Sequence, residues 1–317
     1  MSLQNPTAAD NGGPPAPPSD HDLTPYLQRL LREYADVREG AVADYIPELA
    51  NANPDWFGVA VANIDGEVFA AGDSEQFFTI QSISKPFVYG RALERHGREF
   101  VRQRIGVEPT GDVFNSVIAL DERSKRPHNP MVNAGALATT SLLAEGEPAG
   151  RLRAMAELFS RYAGRPLGID AAAYVSERST GHRNRAICYL MLNFGMIRDG
   201  VEEVLDLYCQ QCSILVTCRD LAVMAATLAN GGVNPVTGER ALDQQYVRDV
   251  LSVMYTCGLY DYAGEWAYTV GLPRAASAVG SWPWRRGGWA SACCRRASTP
   301  AATVCGGSRC ASGCRKT

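Results

Sequence analysis

Long apolar runs are missing from this 317-residue sequence. None approaches the roughly 18 residues that a membrane-crossing helix requires. The N-terminus also lacks the basic-then-apolar layout of an export signal, so the expectation is a cytoplasmic protein with no membrane partner. Charge imbalance is small: 31 Lys and Arg stand against 34 Asp and Glu, a formal net charge of -3. That is too little to draw the whole chain to nucleic acid or an anionic surface, and it favours a small soluble substrate. Histidine is scarce, and His21, His96, His128 and His182 include no pair at metal-ligand spacing. The cysteines offer one Cys-x-x-Cys, Cys209 to Cys212, without the second pair that a zinc site needs, so core packing is the better reading for both. No metal and no cofactor are expected.

What is present suffices for a full core. At 46% hydrophobic and 21% charged, the chain has the make-up of one large domain or two smaller ones. Residues 1–22 carry Pro14, Pro15, Pro17 and Pro18 with few apolar groups and read as a loose Pro/Gly-rich tail. From Leu23, the spacing of Leu27, Leu30, Leu31 and Tyr34 predicts a helix. Phe57–Val61 and Val68–Ala70 flank the turn signal Asp65-Gly66 and predict a hairpin. Helical pattern begins at Ser82 and dominates after Asn129-Pro130 to about residue 230. Its clearest case starts at Thr217, an N-cap with Asp220 three positions on, and closes at Asn230-Gly231-Gly232. Strand character returns at Tyr255–Leu259 and Trp266–Val270. These elements predict a mixed α+β domain over 23–273, its sheet built from both chain ends around an inserted helical subdomain.

The strongest chemical signal is Gln81-Ser82-Ile83-Ser84-Lys85 at a helix start. A spacing of three puts Ser82 and Lys85 about one turn apart on one face, where a lysine amine can take the serine proton and make the oxygen a nucleophile. Ser-x-x-Lys alone also arises by chance, as an exposed helix face.

Several longer segments occur in order: Ala43-Asp44-Tyr45-Ile46-Pro47, Gln81-Ser82-Ile83-Ser84-Lys85-Pro86, Pro127-His128-Asn129-Pro130-Met131-Val132-Asn133-Ala134-Gly135-Ala136, Ser176-Glu177-Arg178, Arg183-Asn184, Gln211-Cys212-Ser213-Ile214 and Gly258-Leu259-Tyr260-Asp261-Tyr262. Together they resemble the glutaminases of the bacterial and kidney type. That resemblance implies a serine β-lactamase/transpeptidase-like fold, hydrolysis of L-glutamine by water to L-glutamate and ammonia, and self-association as a dimer or tetramer. It matches Ser82 to the nucleophile, Lys85 to its activating partner and Tyr260 to a proton-shuttling tyrosine. Glu177 suits the substrate ammonium. Asn133, Asn184 and Tyr208 suit its carboxylate or amide, Tyr45 flanks the bound side chain, and Gln81 borders the same pocket. Ser-x-x-Lys also serves β-lactam and peptidoglycan acyl hydrolases, which are normally exported. An inactive amino-acid-binding relative is the third reading.

Residues 274–317 break with everything before them. They hold eight basic residues, Cys293, Cys294, Cys305, Cys310 and Cys314, and no Asp, Glu, Leu or Ile. Where the resembled family continues with Lys-Ser-Gly, this chain has Arg274-Ala275-Ala276. Back-translation in the shifted frame, with permitted codons, yields Lys-Ser-Gly-Val-Gly and then Leu-Ala-Val-Ala-Pro-Gly-Arg-Leu-Gly-Val-Gly-Val-Leu-Ser-Pro. The expectation is a frameshift near Pro273, an out-of-frame and poorly ordered tail, a bare sheet edge, and activity impaired by loss of the Lys-Ser-Gly strand and a backbone donor to the oxyanion.

Overall fold

The apolar stripe of Leu23, Leu27, Leu30 and Leu31 runs along helix α1 (Thr24–Glu33) and lies on a hairpin of β1 (Phe57–Asn63) and β2 (Val68–Gly72). The computed structural model describes residues 22–37, 42–110, 120–121, 126–197, 200–270, 289–295 and 303–305. Along β1 the side chains alternate: Val59 and Val61 meet α1, whereas Ala60 and Ala62 join the main core, the period of a strand covered on both faces. Asn63 closes the hairpin by accepting from the N–H groups of Asp65 and Glu67. Gly66 sits at φ 91°, a conformation that side chains resist.

After β3 (Phe78–Thr79), a 3-10 turn (Gln81–Ser84) leads into α2 (Lys85–His96) and α3 (Arg98–Arg102). Two short strands follow, β4 (Leu120–Asp121) and β5 (Arg126–Pro127). Helix α4 (Asn133–Ser141) is buried from Asn133 to Thr140 and packs against α2. Around it stand α5 (Pro148–Ala163), α6 (Ala171–Thr180), α7 (His182–Asn193) and α8 (Val201–Cys212). A helix enclosed on every side needs small residues where neighbours approach. Gly135 is the tightest case, since a Cβ there would lie 1.8 Å from the carbonyl oxygen of Asn129. Gly135→Ala is therefore expected to cost at least about 2 kcal/mol, read as a lower melting temperature, and to displace Met131 and Asn133. A variant as stable as the parent would show that the Asn129 turn yields freely.

Strand β6 (Leu215–Val216) pairs antiparallel with β3 and precedes α9 (Cys218–Ala229). Thr217 and Asp220 form the expected capping box. Helix α9 covers the face of β1 opposite α1. Then come α10 (Gln244–Cys257), a 3-10 turn (Tyr260–Tyr262) and α11 (Ala263–Val270). The late strands expected at Tyr255–Leu259 and Trp266–Val270 are thus not strands. Val247, Val250, Val253 and Cys257 are the buried residues of α10, a helical repeat that starts upstream of the short aromatic and β-branched run and overrides its local strand propensity.

The sheet is completed by β7 (Trp289–Arg295) and β8 (Thr303–Cys305), in the order β2-β1-β7-β8. Phe57 to Asn63 pair antiparallel with Arg295 to Trp289. The edge of β1 is therefore occupied, against the expectation that it is bare. The physical reason is that strand pairing uses backbone N–H and C=O groups and asks little of sequence. The chain ends do share one sheet, and helices dominate between them. Residues 1–21 and 271–288, and with them most of the proposed N-terminal tail and the Lys-Ser-Gly counterpart, lie outside the described residues.

Candidate active site

Strand β3 delivers the chain to the Ser82 turn, and Ile80 is anchored there by donating its N–H to the Ile214 carbonyl at 2.8 Å. Gln81 then adopts φ 49°, a left-handed conformation that costs a residue with a side chain about 1–2 kcal/mol. Tyr260 is at φ 54°. Among the described residues these two are the non-glycine positions at positive φ, and both border the site. Strain of this kind is found where surroundings hold a functional geometry in place.

Ser82 is half-buried, and Lys85, at the start of α2, is 2% exposed. The Lys85 amine donates to the Met131 carbonyl at 2.8 Å and to Asn133 Oδ1 at 2.8 Å. Asn133 in turn donates to Asn184 Oδ1 at 3.0 Å, linking the starts of α4 and α7. The Tyr260 ring lies 5.4 Å from Lys85 Nζ. A buried lysine with two carbonyl-type acceptors has one position left on its nitrogen, for a proton or a lone pair.

Glu177 of α6 is 6% exposed, and its Oε2 has no hydrogen-bond partner. Burial pushes its carboxyl up to about 7, against the opposing pull of Gln81, Lys85 and Cys212. Tyr208 of α8 is buried, and its phenol is held well above the usual range by that burial, with Cys212, Glu177 and Tyr260 adding to the effect. Tyr45 is 50% exposed at the rim; burial of its phenol raises it first, and Glu177 and Tyr260 contribute.

Contacts thus connect Tyr45, Gln81, Lys85, Asn133, Glu177, Asn184, Tyr208 and Tyr260, and Ser82 stands beside Gln81 in the same turn. Sequence reasoning missed the supports beneath them. Cys212, read as core packing, is buried as expected and is also a neighbour of Glu177 and Tyr208. The buried side chains Ser84, Thr140 and Gln211 lie behind the Ser82 turn. Their only sequence signal is polarity at positions that the helical pattern assigns to the interior. Among the described residues, no cluster of three or more His, Cys, Asp or Glu is positioned to hold a metal, and no helix is long and apolar enough to cross a membrane.

Residues 40–281 match the family model described as Glutaminase. A glutaminase of Microcystis aeruginosa is 61% identical over 255 residues, which is 80% of this chain and 75% of that protein. One from Trichormus variabilis is 58% identical over 258 residues, 81% of this chain and 77% of that protein. Among solved structures, Mglu in its glutamate form shares 41% identity at a TM-score of 0.76, covering 86% of this chain; this chain spans 61% of Mglu. A probable glutaminase of Bacillus subtilis shares 31% identity at a TM-score of 0.72, covering 85% of this chain and 82% of that one.

Proposed function

The chain belongs to the glutaminase family of amidohydrolases, and from that premise we propose that it hydrolyses L-glutamine to L-glutamate and ammonia through a γ-glutamyl ester on Ser82. The observation that carries the mechanism is the placement of Lys85. Its amine donates to Met131 and Asn133, and in this reading the remaining position on its nitrogen takes the Ser82 proton. The Ser82 oxygen then bonds to the side-chain carbonyl carbon. The C–N bond breaks, and ammonia leaves with a proton passed from Lys85 by way of Tyr260. Water cleaves the ester by the reverse proton path, releasing glutamate and restoring the Ser82 hydroxyl.

Selectivity in this reading comes from Glu177. Its unpartnered, buried oxygen is suited to the substrate α-ammonium, while Asn133, Asn184 and Tyr208 supply neutral donors for the carboxylate or amide. Glu177→Gln is expected to raise KM for glutamine roughly 10- to 100-fold and to affect an analogue acylated on the α-nitrogen far less. Equal losses for both substrates would remove Glu177 from that role. Turnover of a chromogenic β-lactam in place of glutamine would favour the acyl-hydrolase alternative.

The same carboxyl predicts a pH dependence. An ammonium favours the ionised form, so KM should fall as pH rises through about 7, and Glu177→Gln should flatten that change. Stability should move the other way. Between the ordinary value of 4.5 and about 7 the folded chain keeps a proton that the unfolded chain has released, so stability falls as pH rises across this window, by about 3 kcal/mol. Glu177→Gln should therefore melt higher than the parent at pH 8, and melting curves that coincide there would contradict the buried, unpaired carboxylate.

This reading needs no cofactor and includes self-association as a dimer or tetramer in the cytoplasm. Sedimentation of a monomer at all concentrations would remove the self-association. It also keeps residues 274–317 as an out-of-frame ending. An uninterrupted frame across codons 270–310 in independent DNA clones would end that part of the proposal.

A further inference from the structure

Behind the Ser82 turn runs a hydrogen-bonded chain that reaches no solvent. Gln211 of α8 is 0% exposed, as are Ser84 and Thr140. Gln211 Nε2 donates to Ser84 Oγ at 2.8 Å, and Gln211 Oε1 accepts from Thr140 Oγ1 at 3.1 Å. Ser84 Oγ donates to the Gln81 carbonyl at 2.6 Å. Thr140 Oγ1 also lies 2.9 Å from the Ala136 carbonyl, so its single hydrogen is shared between that carbonyl and Gln211 Oε1, and the polarity of the chain is set at its Ser84 end. Ser84 has one hydroxyl hydrogen and gives it to Gln81, so its oxygen accepts from Gln211, which sets the orientation of the Gln211 amide.

The chain ends on the residue that holds the strained conformation. Gln81 is at φ 49°, and its carbonyl shares a rigid peptide plane with the N–H of Ser82. Holding that carbonyl therefore fixes the direction in which Ser82 leaves the turn. Gln211 comes from the same segment as Ile214, whose carbonyl anchors Ile80, so α8 and its exit grip the turn at two points.

We propose that Gln211 is a positioning residue for acylation, holding the Gln81–Ser82 peptide through Ser84 so that Ser82 faces Lys85. The proposal rests on Ser82 being the nucleophile. Gln211 touches no reacting atom, and its effect should appear in the rate of bond formation rather than in substrate affinity. Gln211→Glu makes this testable, because a protonated carboxyl can donate to Ser84 as the amide does. An ionised one cannot donate, and it draws the Ser84 hydrogen away from Gln81.

The experiment uses the full chain and the diazoketone analogue of L-glutamine. Ser82 Oγ bonds to the terminal diazo carbon, that carbon gains the serine proton and dinitrogen leaves. Labelling of the Ser82 peptide is followed by mass spectrometry from about pH 5.5 to about pH 8.5. The Gln211→Glu rate, relative to the parent at each pH, is expected to fall ~10-fold or more at the alkaline end and to recover towards the parent at the acid end. The half-saturating analogue concentration should stay unchanged. A ratio that is flat across pH would overturn the proposal. If Gln211→Glu does not fold, as judged by circular dichroism, Ser84→Ala decides: a ~10-fold slower rate at unchanged half-saturation supports the proposal, and a parent-like rate overturns it. A parent chain that is not labelled at Ser82 would sink the nucleophile reading itself, and positioning with it. That outcome is distinct from a labelled parent with an indifferent Gln211.

Discussion

Ser82→Ala is expected to lower glutamine turnover by ~10⁴-fold or more while leaving the melting temperature close to that of the parent. The fold does not depend on this side chain, because Ser82 is half-buried and the turn is held by Ile80, Ser84 and Gln211. In the proposed mechanism the chemistry does depend on it. Without the hydroxyl, the Lys85 amine has no proton to accept, and no ester can form. If Glu177, Asn133, Asn184 and Tyr208 bind the substrate as proposed, Ser82→Ala should still bind glutamine with an affinity near that of the parent. Undiminished ammonia release from a well-folded Ser82→Ala variant would remove Ser82 as nucleophile and leave Lys85 without its proposed task.

A second large effect is expected at the C-terminal end. Replacing residues 274–317 by the shifted-frame reading after Pro273 should raise turnover by ~10²–10³-fold, the cost that one missing oxyanion donor carries. The sheet gives this a physical setting. Strand β7 pairs with the whole of β1, and its residues Trp289-Ala290-Ser291-Ala292-Cys293-Cys294-Arg295 are those whose shifted-frame reading is Gly-Val-Gly-Val-Leu-Ser-Pro. Pairing of this kind uses backbone groups, so a shifted-frame segment could take the same place beside β1. Equal activity in the two versions would show that the present ending supplies whatever the reaction requires.

Parts of this structure were legible from the chain because local chemistry and global position agree there. Asp65-Gly66 between two apolar runs could hardly be anything but a turn, and Thr217 with Asp220 announced the start of α9 before any packing was known. The expected helix start at Ser82 is a 3-10 turn, Gln81–Ser84, that runs directly into α2 at Lys85. Other features have no local signature. Glu177 lies on α6, which packs against α8 and the segment Pro47–Asn51, and its burial there comes from parts of the chain far from it in sequence. The left-handed conformation of Gln81 and Tyr260 runs against residue preference and is imposed by neighbours. Gln211 is a polar residue on a mostly apolar helix face, and only the fold shows that Ser84 and Thr140 meet it. At Tyr255–Leu259, short-range propensity pointed to a strand, whereas the longer repeat of Val247, Val250 and Val253 belongs to a helix.

The proposed γ-glutamyl ester on Ser82 can be sought directly by mixing the parent chain with L-glutamine, quenching in acid within the first turnover, and digesting for mass spectrometry. A γ-glutamyl adduct on the peptide containing Ser82, absent from Ser82→Ala and decaying as glutamate appears, is the expected result. Ammonia formed at the same rate with no adduct at any quench time, or an adduct carried by another residue, would contradict the acyl-enzyme.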